Sequence, residues 1–276
     1  MRVVESLEEL WSGRVKLKGP VGLVPTMGYL HEGHLSLVKR ARQDCESVVV
    51  SIYVNPSQFG PQEDLNKYPR DIERDLGLLK DENVDMVWLP TNEVIYPGDY
   101  QTWVTVEEVT RPLEGAMRPG HFRGVATVVV KLFNAIQPHK AYFGQKDAQQ
   151  SVVIRQMVRD LDYPIEIIVC PTLREPDGLA MSSRNVYLSP DERKSAAVLS
   201  RALFRARSAY EAGEQDAGHL RQLVVDTLAS EPVVKVQYVS CSDPVTLHEL
   251  EGVVRHALLS LAVTIGKTRL IDNVIL

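Results

Sequence analysis

Short apolar runs and helically spaced apolar stripes alternate through the first two-thirds of the chain, and that alternation predicts its architecture. The run Val21-Gly22-Leu23-Val24 reads as a buried strand that breaks at Pro25 and Gly28, and apolar positions at helical spacing follow from His31 through Val38 to Cys45. The pattern recurs, with strand-like runs at 48–54, 86–89, 141–143 and 165–169 and helical ones at 70–80, 125–136 and 148–159. Strands alternating with helices imply βαβ units. The expected fold class is therefore α/β, a Rossmann-like doubly wound parallel sheet domain.

From Ser189 the pattern changes. Ser189-Pro190-Asp191-Glu192 is a helix start, with Ser189 as N-cap and Pro190 in the first helical position. Helices are expected to about Ala212 and over 216–229, followed by β-rich runs at 233–239, 257–265 and 268–275. That predicts a smaller α+β C-terminal domain with a small antiparallel sheet. The expected division is 1–187 and 188–276.

Composition narrows the function classes. The 276 residues are 44% hydrophobic and 24% charged, as in an ordinary globular protein. Thirty-one basic and 36 acidic residues leave a net charge of −5, with no Lys/Arg cluster of the kind that tracks nucleic acid. No apolar stretch approaches the roughly 20 residues of a membrane span, and the first residues, MRVVESLEELW, do not read as a secretory signal. The three cysteines have no C-x-x-C spacing, which suits a reducing compartment. The expected location is cytoplasmic.

Open parallel sheets bind ligands beyond the carboxyl ends of their strands, and the polar motifs fall there. His31 and His34, in PTMGYLHEGH, share one face at the mouth of a predicted helix, where free N–H groups and the helix dipole favour phosphate. A pair of metal ligands or two satisfied surface histidines remain open readings, although zinc needs further ligands that the scattered cysteines do not supply. Gly144-Gln145-Lys146-Asp147 follows a predicted strand; Lys146 is placed to meet phosphate and Asp147 to accept from ribose, or the four form an ordinary polar turn. Met181-Ser182-Ser183-Arg184 offers two hydroxyls and a guanidinium as a flexible clamp for triphosphate oxygens, or a turn with a surface arginine. Asn55, Gln58 and Gln150 are neutral amides able to orient a hydroxy-acid without quenching its carboxylate, with loop capping as the alternative for Asn55. Gly120-His121-Phe122-Arg123-Gly124 reads as a loop between glycines.

The order of PTMGYLHEGH, NPSQFG, YPRD, RPGHFRGV, YFGQKDAQQ, DGLAMSSRN and GKTRLIDN resembles the pantoate–β-alanine ligase (pantothenate synthetase) family, within the nucleotidylyltransferase group that carries a His-x-Gly-His signature. The resemblance implies an AMP-forming ligase of pantothenate biosynthesis that condenses (R)-pantoate with β-alanine through a pantoyl adenylate. By the same resemblance, ATP is contacted by Pro25, Met27, Gly28, His31, His34, Gly144, Lys146, Asp147, Leu173, Met181, Ser182, Ser183 and Arg184. His34, His31, Lys146 and Arg184 are the catalytic set, and Gln58, Gln150 and Asn55 bind pantoate or β-alanine. Mg²⁺ is expected on the ATP phosphates with no dedicated protein site, and a homodimer is expected. The chain departs from the family's usual pattern at Gln145, often acidic in relatives, and at Ala148, often aromatic. Two other readings stay open: a nucleotidylyltransferase acting on another acceptor, and a non-catalytic nucleotide sensor.

Overall fold

The computed structural model describes residues 1–61 and 63–276. The chain divides into two compact units, the first comprising Met1–Gly144 and Val153–Pro171, the second Gln145–Val152 and Thr172–Leu276.

The first unit is built on six parallel strands: β1 Arg2–Val4, β2 Val21–Thr26, β3 Ser47–Ile52, β4 Met86–Trp88, β5 Lys140–Gly144 and β6 Glu166–Cys170. Their order, β1-β4-β3-β2-β5-β6, reverses direction between β2 and β5. This reversal is the switch point of a doubly wound sheet, where the carboxyl ends of neighbouring strands open a ligand-binding crevice. Every residue of β3 is buried, as a strand covered on both faces requires. The helices are α1 Leu7–Arg14, α2 Glu32–Asp44, α3 Ile72–Asp81, α4 Asn92–Ile95, α5 Glu114–Met117, α6 His121–Ile136 and α7 Ala148–Asp160, the last shared with the second unit. Helix α2 packs on β2, β3 and β5, while α6 meets α1 and β2. Val24, Leu35, Val38, Val50, Leu79 and Tyr142 belong to one buried cluster, each fully buried side chain contributing about 1.5–3 kcal/mol.

The second unit contains α8 Pro190–Ala196, α9 Val198–Glu211 and α10 Ala217–Leu228, and an antiparallel meander of β7 Val234–Ser242, β8 Leu258–Ile265 and β9 Thr268–Ile275. Leu199, Leu203, Leu220 and Val224 from the helices share a core with Leu259, Leu261 and Val263 of β8.

The doubly wound parallel sheet and the smaller antiparallel sheet are as the sequence pattern predicts. Three local readings differ. Strand β1 and helix α1 were not foreseen, although Ser6 and Glu9 form a capping box that marks the start of α1. The helix expected from Pro190 to about Ala212 is two, divided at Ala197. Residues 120–124 are not a loop but the entry and first turn of α6, because Gly120 takes the left-handed conformation (φ 83°) and Phe122 and Gly124 are buried.

All three cysteines are buried free thiols. Among the described residues, no helix is long and apolar enough to cross a membrane.

Candidate functional site

Strand β2 delivers the first set of side chains. Its ladder with β5 has ended at Leu23, so Pro25 enters the strand where only β3 is paired. Gly28 then takes φ 83°, and a Cβ there would lie 2.9 Å from Ile52 Cγ2, so both conformation and space demand glycine. Tyr29 follows in the left-handed region at φ 51°, which costs a non-glycine residue about 1 kcal/mol. The fully buried Asp75 of α3 offsets that cost: Tyr29 N and Leu30 N donate to its carboxylate at 2.7 and 2.8 Å. Burial pushes the Asp75 carboxyl above its ordinary pKa even though the two amides pull it down. Asp75 therefore fixes the approach to His31 from 45 residues away.

His31 is the N-cap of α2, and the two imidazoles take the places that serine and glutamate hold in a capping box. His31 Nδ1 accepts from Gly33 N at 3.1 Å, His34 Nδ1 accepts from the His31 amide at 3.4 Å, and the ring centroids are 4.1 Å apart. A ring nitrogen that accepts a backbone N–H carries no proton, so the neutral imidazoles hold theirs on Nε2. Each ring is thereby set as an Nε2–H donor at the positive end of a helix. Among the described residues, no group of three or more His, Cys, Asp or Glu is placed to hold a metal ion.

Strand β3 delivers the second set. Asn55, only 1% exposed, spends its whole amide inside the protein. Its oxygen accepts from Ser57 N, Ser57 Oγ and Tyr96 Oη at 3.3, 2.9 and 3.0 Å. Its nitrogen donates to Gln58 Oε1 and Gly124 O, both at 3.1 Å. Asn55 thus caps the 3-10 turn Pro56–Gln58 and sets the amide orientation of Gln58, whose Nε2 reaches Met27 Sδ at 3.2 Å. Gly144, the last residue of β5, has open space where a Cβ would stand, so protein packing does not demand glycine there.

In the second unit the candidate side chains sit on short turns. Lys146 and Asp147 occupy the 3-10 turn Gln145–Asp147, with Lys146 Nζ 3.3 Å from Asp147 Oδ1. The turn is held from the last strand: Asn273, 4% exposed, donates to Gln145 O and Lys146 O at 3.0 and 2.9 Å and accepts from Gln145 Nε2 at 3.0 Å. Its neighbour Asp272, fully buried, forms a two-pronged pair with Arg174 at 2.6 and 2.9 Å. Arg174 begins a tight excursion that turns at Asp177-Gly178 (Gly178 φ 93°) and returns to pair with Ala180. Leu173 is 39% exposed on this excursion, and its carbonyl accepts from Met181 N at 3.0 Å. Ser182 caps the 3-10 turn Ser183–Tyr187 by accepting from Arg184 N at 3.3 Å; Ser183 is buried and Arg184 half-buried. A hydroxyl that accepts in this way still has its O–H to donate. Gln150 lies half-buried in the first turn of α7.

Sequence reasoning passed over Asp75, Arg174, Asp272 and Asn273. Each acts on backbone or on a charge distant in sequence, and the YPRD, DGLAMSSRN and GKTRLIDN motifs point to their neighbourhoods without assigning them a role.

A doubly wound parallel sheet with donor imidazoles at a helix mouth beyond its switch point defines an α/β protein built to handle nucleotide phosphate. The comparisons make this specific. The family model for pantoate-beta-alanine ligase matches residues 1–275. The pantothenate synthetase of Roseiflexus sp. (strain RS-1) is 57% identical over 276 residues, covering 100% of this chain and 99% of the relative. That of Herpetosiphon aurantiacus is 57% identical with 100% of both chains covered. A crystal structure of pantothenate synthetase from Thermus thermophilus superposes with a TM-score of 0.95 at 48% identity, covering 99% of each chain. The Francisella tularensis pantoate-beta-alanine ligase, solved with beta-gamma ATP and beta-alanine, gives 0.82 at 35% identity, covering 99% of this chain and 97% of that one. The chain belongs to the pantoate–β-alanine ligase family and is a ligase that forms a carbon–nitrogen bond.

Proposed function

We propose that this ligase condenses (R)-pantoate with β-alanine through a pantoyl adenylate, consuming ATP and releasing AMP and pyrophosphate. The observation that carries the reading is family membership along residues 1–275, with the paired imidazoles of the signature held as Nε2–H donors. In the first step a pantoate carboxylate oxygen attacks the α-phosphorus and the bond to pyrophosphate breaks. Charge spreads over the phosphoryl oxygens, so positioned donors supply most of the rate gain. His31 and His34 donate through Nε2, His34 as the proton donor, and Lys146 meets the α-phosphate. Ser182, Ser183 and Arg184 grip the triphosphate, with Pro25, Met27, Gly28, Gly144, Met181 and the Leu173 backbone lining the nucleotide and Asp147 on its ribose. Gln58 and Gln150 orient pantoate as uncharged amides, and Asn55 acts on it through Gln58, whose oxygen it fixes. In the second step the β-alanine amine attacks the acyl carbonyl, AMP leaves, and the nitrogen loses a proton. No protein nucleophile takes part.

The set is mostly imidazole, amide, hydroxyl, ammonium and guanidinium groups with Asp147 as its one carboxylate, too few anionic oxygens for a protein-built cage, which fits Mg²⁺ arriving on the nucleotide with phosphate and water as its ligands. Bound in that way, Mg²⁺ neutralises phosphate charge. Residues 1–187 are proposed as the ATP- and pantoate-binding part and 188–276 as the smaller domain, in a cytoplasmic homodimer.

The test supplies ATP, Mg²⁺, pantoate and β-alanine and then withholds each in turn. Pantothenate, AMP and pyrophosphate are expected in equal amounts, with pyrophosphate release persisting when only β-alanine is withheld. A dinucleotide product would assign another acceptor, and ATP binding without pantoate-dependent pyrophosphate release would make the protein a sensor.

A further inference from the structure

The first turn of α6 grips the turn that carries Gln58. Gly124 lies so close to that turn that a Cβ would stand 2.3 Å from Ser57 O and 2.7 Å from Gln58 N. Against the same backbone, His121 Nδ1 is 2.8 Å from Gln58 O, and Arg118 Nη2 is 3.4 Å from that oxygen. Arg118 Nη1 is 3.1 Å from His121 Nε2, and Glu63 holds Arg118 from behind through two 2.7 Å bonds. Glu114 adds a second carboxylate 3.8 Å from Arg118.

The chemistry of the partners fixes the state of the ring. A carbonyl oxygen only accepts, so Nδ1 carries a proton; a guanidinium only donates, so Nε2 does not. His121 is therefore a neutral Nδ1–H tautomer with both nitrogens engaged. Burial, reinforced by the Arg118 charge, lowers its pKa to about 4, which keeps the ring neutral at ordinary pH. A ring committed on both sides is suited to holding geometry rather than carrying protons. What it holds is the main chain of Gln58, whose amide Asn55 and Met27 fix from the other side.

We propose that His121, locked by Arg118 and Glu63, is a positioning residue for Gln58, setting the affinity for pantoate without touching it. This rests on the reading of Gln58 as a pantoate-binding amide.

The test is steady-state kinetics with pantoate and ATP varied separately for His121→Gln, His121→Asn, Gln58→Ala and the double variant His121→Gln/Gln58→Ala. A glutamine amide lines up with Nε2 and leaves Gln58 O only the long 3.4 Å bond from Arg118, whereas an asparagine amide nitrogen stands where Nδ1 does. His121→Gln is expected to raise the pantoate KM about tenfold, the scale of one lost hydrogen bond, with the ATP KM unchanged. His121→Asn is expected within about threefold of the parent, since its amide restores that one bond. The double variant is expected to match Gln58→Ala, because the two residues act as one unit. Equal rises in both KM values, an asparagine variant as impaired as the glutamine one, or fully additive losses would each overturn the proposal. If Gln58→Ala itself leaves the pantoate KM unchanged, the reading of Gln58 fails and the proposal falls with it. Glu63→Gln, which loosens Arg118 from outside, is measured in the same assay in case His121→Gln does not fold; an unchanged pantoate KM there counts against the relay.

Discussion

The helix mouth of the first unit and the short turns of the second hold their functional groups in opposite ways. His31 and His34 cap the helix they sit on, so the atoms that secure the fold and those proposed to meet phosphate belong to the same rings. Lys146 rides on a turn that Asn273 of the last strand holds, and Arg184 on a turn that Ser182 caps, just past the excursion that the Arg174–Asp272 pair ties to the same strand. Where function and support share a residue, a substitution harms both. Where they are divided, the two losses separate.

The largest effect expected from this contrast is on stability in the second region. Asp272→Ala strands the Arg174 guanidinium, which is only 16% exposed, and is expected to cost about 3–5 kcal/mol in chemical unfolding. A cost under about 1 kcal/mol, the scale of an exposed pair, would show that the ion pair does not hold the turn.

Acid tests the first region. His121 has its pKa lowered to about 4, with Arg118, Glu63 and Glu114 as the charged groups facing it. As pH falls from 6.5 towards 4, the unfolded chain takes up a proton that the folded chain refuses, so stability present above pH 6.5 is lost across that window. The loss from this group is about 3 kcal/mol at most, and His121→Asn is expected to flatten the slope of unfolding free energy against pH.

Activity sharpens the contrast further. His34→Ala and Lys146→Ala are each expected to slow adenylate formation roughly a hundredfold or more, read as pyrophosphate release in a rapid-mix assay. Only the histidine variant is expected to lose stability as well, by about 1 kcal/mol for the missing cap. Equal stability losses would erase the distinction. Gln150→Ala, the mildest, is expected to raise the pantoate KM about tenfold while leaving ATP dependence alone.

The helix mouth was legible in the sequence because its signals are local. A strand run, Pro25, Gly28 and two histidines at helical spacing lie within residues 21–34. The capping role of those histidines was not legible, since serine and glutamate are the usual signature and imidazoles substitute for them only in three dimensions. The start of α6 was misread for a related reason. Gly120 and Gly124 look like breakers, yet Gly124 is glycine because the Ser57 carbonyl presses against it. Asp75, Asn273 and Arg118 were out of reach for periodicity, because they satisfy backbone or side-chain groups 45, 127 and 60 residues away. Of the site, the donors were readable and the supports were not.

The buried thiols have a practical consequence. Cys45, Cys170 and Cys241 are divided between the two units, and burial also raises the pKa of Cys170 and, to about 11, that of Cys241. Alkylating reagents react with thiolate, so labelling proceeds only when a unit opens. Digesting the labelled chain and tracking which peptide gains mass first would time each unit's breathing with no engineered probe.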